Sequence, residues 1–211
     1  MERKIIGITG VIGSGKDSFS KPFIEAGFQK ISFADTLKDA VSSIFGWDRY
    51  MLSGDTIESR EFREQIDEYW SNKLERDVTP RWVLQHLGTD VLRKHFDDNI
   101  WIYSAEKNMM KYDKVIVTDC RFVNEINVIR NNGGIIVEVH RNNPEWYCKY
   151  KLYNQMIDGD STLNIPNPYD EYKIHSSETS WIGRNNPEHD IYNTGTLEDL
   201  YSNAKHIISI L

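Results

Sequence analysis

Seven residues near the start of the chain, Gly10-Val11-Ile12-Gly13-Ser14-Gly15-Lys16, have the types and spacing to hold a polyphosphate. Phosphate oxygens need several backbone N–H donors aimed at one centre, and a chain curls that tightly only where glycine relieves Cβ clashes. Gly10, Gly13 and Gly15 supply that freedom. The apolar run 5–9 precedes the loop as a strand would, and Phe19, Phe23 and Ile24 mark a helical face over 16–26 behind it. Such a helix would point its unsatisfied first-turn N–H groups at the same phosphates, with Lys16 adding a mobile positive charge. Strand, glycine loop and helix in this order make a P-loop, which suits a nucleoside triphosphate.

Where a hydroxyl residue commonly follows the loop lysine and ligates Mg²⁺, this chain has Asp17, with Ser18 next. A carboxylate is a hard-oxygen ligand, so Asp17 can hold the metal directly or through its water; it can equally be a first-turn acid stabilised by the helix dipole. Further reactive side chains follow the other apolar runs. Asp35 and Lys38 lie three apart at a helix start, where Lys38 can hold an acceptor phosphate and Asp35 can steer the acceptor or metal-bound water. The alternative there is a helix cap and an exposed lysine. Beyond 114–118, Asp119 can position Mg²⁺ and Arg121 can clamp a phosphate bidentately, or the two can simply pair. Arg141 and Arg184 bracket the span 142–187, and flexible arginines there can neutralise charge on a moving phosphoryl group.

The elements that must position these groups are legible as alternation. Apolar, β-prone runs at 4–9, 29–33, 114–118, 134–140 and 189–193 are separated by helix-length segments, which indicates a parallel sheet with helices on both faces. In such a sheet, ligands bind at the carboxyl ends of the strands, where the residues above fall. Helical spacing is clearest over 33–45, 58–74, 80–96 and 197–210, with Thr79-Pro80 a start signal. Two regions break the alternation: the polar helical interval 48–79, and 142–187, rich in Asn, Pro, Tyr and Ser. Either can be a flap over a nucleotide, and the second can instead be a loose surface excursion.

At 211 residues the chain suits one α/β domain. Its 25 basic and 32 acidic residues give a net charge of −7, which argues against a general nucleic-acid-binding surface and leaves an anionic substrate to local Arg and Lys clusters. Cys120 and Cys148 are too few for a zinc site or a disulfide framework, which makes a reducing compartment the default. Met1-Glu2-Arg3-Lys4 runs straight into a strand and no long apolar segment follows, so neither leader nor membrane span is expected and the protein should be cytoplasmic. Trp47 and Trp70, taken as exposed, would permit a homodimer without requiring one.

Several motifs together resemble the phage and viral deoxynucleoside monophosphate kinases. They are G-S-G-K-D from Gly13, F-A-D-x-L-K from Phe33, T-P-R-x-x-L-Q-x-L-G-T-D over 79–90 with Arg93, T-D-x-R-F-x-N-E from Thr118, His175-Ser176-Ser177-Glu178, and Asn193-Thr194-Gly195-Thr196-Leu197. The resemblance spans most of the chain, and Asp17 after the lysine is what that family commonly carries. It implies a three-layer P-loop kinase fold with a parallel sheet of about five strands, a helical monophosphate-binding region at about 48–98 and a lid-like insertion at about 142–187. The implied reaction passes the γ-phosphoryl of ATP, with Mg²⁺, to a deoxynucleoside 5′-monophosphate. Gly10, Gly13, Ser14, Gly15, Lys16, Asp17 and Ser18 would hold the ATP phosphates, and Asn193, Gly195 and Thr196 the adenine side. Asp35, Lys38, Arg63, Gln85, Thr89, Asp90, Arg93 and Glu178 would lie on the substrate side. Lys16, Arg121 and Arg141 would serve catalysis, and Asp17 and Asp119 the metal. If viral, the protein would work in the host cytoplasm.

Three rival readings share the P-loop. A kinase of another small metabolite, such as dephospho-coenzyme A, would keep the same first strand and loop. A GTPase-like switch would need a guanine-reading N-K-x-D tetrad, which the sequence lacks. A scaffold with a relic loop would have little reason to keep Lys16.

Overall fold

The computed structural model describes residues 3–211; Met1 and Glu2, part of the stretch on which the expectation of no leader rests, lie outside them. The chain forms two compact units, Met1–Ser32 with Asn108–Leu211, and Phe33–Lys107.

Among the described residues, the first unit holds five strands: β1 (Lys4–Thr9), β2 (Gln29–Ile31), β3 (Lys114–Val117), β4 (Ile135–His140) and β5 (His189–Tyr192). They form one sheet in the order β2-β3-β1-β4-β5, with every neighbouring pair parallel. In the central strand, Ile6 is in register with Ile116 on one side and Ile135 on the other. A strand in that position is buried on both faces, which is why its sequence is a nearly unbroken apolar run.

Alternation along β1 divides its side chains between two helical layers. Ile6 and Ile8 share a buried cluster with Ile116, Val137, Val139 and Ile191, covered by Phe19 and Phe23 of α1 (Lys16–Glu25) and by Leu200, Ala204 and Ile207 of α11 (Leu197–Ile210). The opposite face meets α7 (Val123–Asn131) at Gly7, where a Cβ would stand 2.7 Å from Ile136 Cδ1 and 3.3 Å from Ile129 Cγ1. This is the expected α/β architecture of a parallel sheet between helical layers.

Within the same unit, the span 142–187 carries α8 (Glu145–Gly159) and two short helices, α9 (Pro168–Tyr172) and α10 (Ser176–Thr179). Tyr147, Tyr150, Asn154 and Trp181 are buried. The Tyr147 hydroxyl donates to Glu138 Oε1 of β4 at 2.6 Å, and Asn154 Nδ2 donates to Thr179 O at 3.1 Å and Ile182 O at 2.8 Å.

The second unit is helical: α2 (Asp35–Phe45), α3 (Ile57–Glu64), α4 (Glu68–Leu74), α5 (Pro80–Gln85), a π-helical stretch His86–Arg93, and most of α6 (Ile100–Met109). The single helix expected over 58–74 is two helices, because Asp67 caps the second one. Its Oδ1 accepts from Trp70 N at 2.9 Å, its Oδ2 from Trp47 Nε1 at 2.7 Å, and its own N–H donates to Val78 O at 2.9 Å. The helix expected over 80–96 starts at Pro80 and then widens into π turns, where Gly88 O accepts from the Trp101 indole at 2.9 Å. Trp47 and Trp70 are not the exposed aromatics that the sequence suggested. Trp47 is 7% exposed and stacks on Phe45 with centroids 4.6 Å apart, and the half-buried Trp70 donates to Phe45 O at 3.0 Å. Among the described residues, no helix is long and apolar enough to cross a membrane.

Candidate active site

The loop between β1 and α1 has the geometry its glycines were chosen for. Gly10, Gly13 and Gly15 have φ of 145°, 80° and 101°. A Cβ on Gly10 would stand 2.5 Å from Val139 O, and one on Gly15 2.5 Å from Asn193 Nδ2. Gly15 is the N-cap of α1 and no side chain among the described residues caps that helix, so its first-turn N–H groups stay available to an anion. Among the described residues the buried Ser14 hydroxyl has no hydrogen-bond partner, which makes it a spare polar atom in the cradle. Lys16 Nζ donates to Gly10 O at 2.6 Å and Val11 O at 2.9 Å, folding back over its own loop. Burial above all, then the nearby Arg121 guanidinium, pulls its pKa down to about 8, against the opposing pull of Glu178, Asp17 and Asp119.

The end of β5 holds this loop from the side. Asn193 N donates to His140 O at 2.8 Å and its Nδ2 donates to Ser14 O at 2.9 Å. Gly195 and Thr196 follow as the entry to α11, where Thr196 Oγ1 accepts from Asp199 N at 3.2 Å and Asp199 Oδ2 accepts from Thr196 N at 2.8 Å.

Further candidates in this unit lie on the first turn of α1 or just beyond β3 and β4. Asp17, exposed on the first turn of α1, pairs with Lys30 at 3.2 Å; Ser18 beside it is half-buried. Asp119, after β3, accepts from Ser32 Oγ at 2.5 Å. Arg121 donates through Nη1 to Glu178 Oε1 and, at 3.3 Å, to Ser177 O, while its backbone N–H donates to the buried Glu125 carboxylate at 2.7 Å. Burial alone would lower the Arg121 pKa, but Glu178, Asp119 and Glu125 outweigh it and hold the guanidinium firmly charged. Arg141, just past β4, is exposed, and its side chain makes no hydrogen bond or ion pair with the described residues. Lys16, Asp17, Asp119, Arg121 and Glu178 thus form one charge cluster at the loop's mouth. Carboxylates at Asp17 and Asp119 are the hard-oxygen donors that Mg²⁺ prefers, so the residues present fit that ion.

In the helical unit, Asp35 opens α2 and accepts from Arg49 Nη2 at 3.0 Å, with Lys38 one turn on. Arg63 is on α3 and Gln85 ends α5. Thr89, Asp90 and Arg93 all lie on the π-helical stretch. Asp90 Oδ2 is 3.1 Å from His86 Nδ1, and Arg93, 6% exposed, donates to Asp98 O at 2.8 Å. Widened turns of this kind are frequent at functional sites. Lys30, Ser32, Glu125 and Ser177 were not singled out in the sequence; each acts through a partner that only the fold supplies, although Glu125 and Ser177 lie inside the motifs.

A family model described as deoxynucleotide monophosphate kinase matches residues 49–149. A protein of Acanthamoeba polyphaga mimivirus, provisionally named a deoxynucleotide monophosphate kinase, is 34% identical over 152 residues, covering 65% of this chain and 74% of that protein. Among solved structures, the Thermus thermophilus protein TT1252 is similar at a TM-score of 0.49 and 17% identity, covering 100% of this chain and 99% of that one. A dephospho-CoA kinase of Campylobacter jejuni is similar at 0.42 and 16%, covering 98% of this chain and 96% of that one. Both structural likenesses are too slight to carry an assignment; the sequence relative carries it.

Proposed function

We propose that this chain, which belongs to the deoxynucleotide monophosphate kinase family, transfers the γ-phosphoryl group of ATP to a deoxynucleoside 5′-monophosphate, giving ADP and the deoxynucleoside diphosphate. The observation that carries the reading is the family relationship joined to an uncapped, glycine-lined helix start with Lys16 at its mouth. Such a cradle suits the phosphates of a nucleotide donor.

Phosphoryl transfer asks little covalent chemistry of a protein: the acceptor oxygen is held in line, charge on the moving group is neutralised and water is kept away. Backbone N–H groups of 13–18 and the Ser14 hydroxyl would receive the donor's phosphate oxygens. Lys16 would exchange its two loop carbonyls for the outer phosphates, and Arg121 would meet the transferred group, with Arg141 as a further cation. Asp17 and Asp119 would hold Mg²⁺, which when bound supplies positive charge against the phosphate oxygens. On the acceptor side, Lys38, Arg63 and Arg93 would meet the monophosphate, and Gln85, Thr89 and Asp90 the sugar and base. The acceptor is already an anionic phosphate oxygen near neutral pH, its second pKa being about 6, so no strong general base is required.

The test is ADP release measured with ATP, Mg²⁺ and each of the four deoxynucleoside monophosphates, the matching ribonucleotides and dephospho-coenzyme A. Turnover with at least one deoxynucleoside monophosphate is expected. Turnover with dephospho-coenzyme A alone would overturn the acceptor assignment.

A further inference from the structure

The stretch His175-Ser176-Ser177-Glu178 forms the N-cap and first three residues of the single turn α10. We propose that it positions Arg121: His175 caps the single turn α10, the turn fixes Ser177 and Glu178, and these two grip one edge of the guanidinium so that its other donors are left for a phosphoryl group. The proposal rests on the reading that Arg121 meets the transferred group.

The contacts form an unbroken chain. His175 Nδ1 accepts from Ser177 N at 3.2 Å and lies 2.9 Å from Ser177 Oγ, which makes His175 the N-cap of the turn. The far end of the turn is tied down by the buried Asn154 of α8, whose amide donates to Thr179 O at 3.1 Å. Between these anchors, Ser177 O and Glu178 Oε1 both accept from Arg121 Nη1. A guanidinium has five N–H donors in a rigid plane, and two on one nitrogen are thereby used. Nε and Nη2 make no hydrogen bond with the described residues, leaving three coplanar donors for the bidentate pattern a phosphate accepts. The arginine's main chain is held independently by Glu125, so the side chain is fixed at its root and along one edge. Glu178 also counters the mutual repulsion of Lys16 and Arg121, holding both cations at the loop's mouth before a nucleotide arrives.

A carboxylate in this role acts through the arginine and touches no reacting atom. Glu178→Ala should therefore lower kcat about a hundredfold, the scale of a misplacement near 1 Å, while KM for ATP stays within about twofold. Glu178→Gln, which keeps an oxygen acceptor in place, should recover most of the loss. His175→Ala should fall in the same direction as Glu178→Ala, and His175→Asn, with a side chain that caps helices well, should not. In an Arg121→Ala background, Glu178→Ala should cost nothing more. A further full loss in that background, or normal kcat in Glu178→Ala, overturns the proposal. Normal turnover by Arg121→Ala instead overturns the underlying reading of Arg121. Without nucleotide, the Arg121 Nε–H resonance should be resolved in the parent protein and averaged with solvent in Glu178→Ala; an unchanged resonance also overturns the positioning role. Should Glu178→Ala not fold, Glu178→Gln and the His175 pair carry the same comparison.

Discussion

The ammonium of Lys16 lies against Gly10 O and Val11 O, and burial first, then Arg121, brings its pKa from 10.5 down to about 8. Between those values the unfolded chain holds more protons here than the folded one, so this lysine makes the empty protein more stable as the pH rises through the window. Nucleotide binding runs the other way, because anionic phosphates favour the charged form. Above about pH 8 the dissociation constant for ATP should rise, by up to about tenfold per pH unit, and binding should take up a proton. Calorimetry at pH 7, 8 and 9 in buffers of different ionisation enthalpy reads both effects; a flat profile would mean that the lysine stays charged throughout. At Gly15 the constraint is steric instead. Its φ of 101° disfavours any side chain, and a Cβ would press on Asn193 Nδ2 at 2.5 Å, the amide that ties Ser14 to the end of β5. Gly15→Ala should destabilise the protein by about 1–3 kcal/mol and abolish ATP binding, as urea unfolding and titration would report. Its mirror control is Gly13→Ala, strained in φ but with nothing within 4 Å of the new methyl, which should cost less.

At the scale of elements, β4 and α8 meet through a buried carboxylate. Glu138, 3% exposed, accepts from Tyr147 of α8 at 2.6 Å and from Asn185 at 2.6 Å, and the same Asn185 amide donates to Thr9 Oγ1 at 3.0 Å, one residue before the phosphate loop. Burial and the Glu138 carboxylate push the Tyr147 hydroxyl well above the usual phenol range, so it stays a donor at any working pH. Tyr147→Phe removes that donor and leaves a buried carboxylate oxygen short of a partner, a loss of about 1–3 kcal/mol. Chemical denaturation should show it, and the loss should shrink in a Glu138→Gln background, where the stranded oxygen is neutral. The central strands β1, β3 and β4 were legible in the sequence because each is a short, mainly apolar run in a sheet covered on both faces, whereas the edge strands β2 and β5 each bury a single residue, Ile31 and Ile191. Helix α8 was not legible, because its buried positions are Tyr147, Tyr150 and Asn154 rather than a run of aliphatics, so the segment resembled a polar loop. The break at Asp67 and the π turns after Gln85 were hidden for another reason: both depend on indoles far along the chain, Trp47 on Asp67 and Trp101 on Gly88 O. The site follows the same division. Gly10 to Lys16 is written as one contiguous word, whereas the grip of Glu178 on Arg121 joins residues 57 positions apart and has no local signal.

At the scale of the whole molecule, ligands should divide between the two compact units. All five strands, the glycine loop, Lys16 and Arg121 belong to one unit; Lys38, Arg63, Gln85, Asp90 and Arg93 belong to the other. A ligand that binds only the folded state adds about 2.7 kcal/mol at a hundred times its dissociation constant. For a chain of this size, that is a rise in melting temperature of roughly 5–11 °C. ATP with Mg²⁺ should produce such a shift, and Lys16→Ala, folded to the same circular dichroism spectrum, should lose the shift together with turnover. Hydrogen exchange then locates the stabilisation. ATP alone should slow amides of β1, the glycine loop and α1, while a deoxynucleoside monophosphate alone should slow amides within 33–107, above all in the π-helical stretch His86–Arg93. Protection by the monophosphate confined to the sheet-bearing unit would remove the acceptor role from Lys38, Gln85, Asp90 and Arg93 while leaving the donor site at the glycine loop intact.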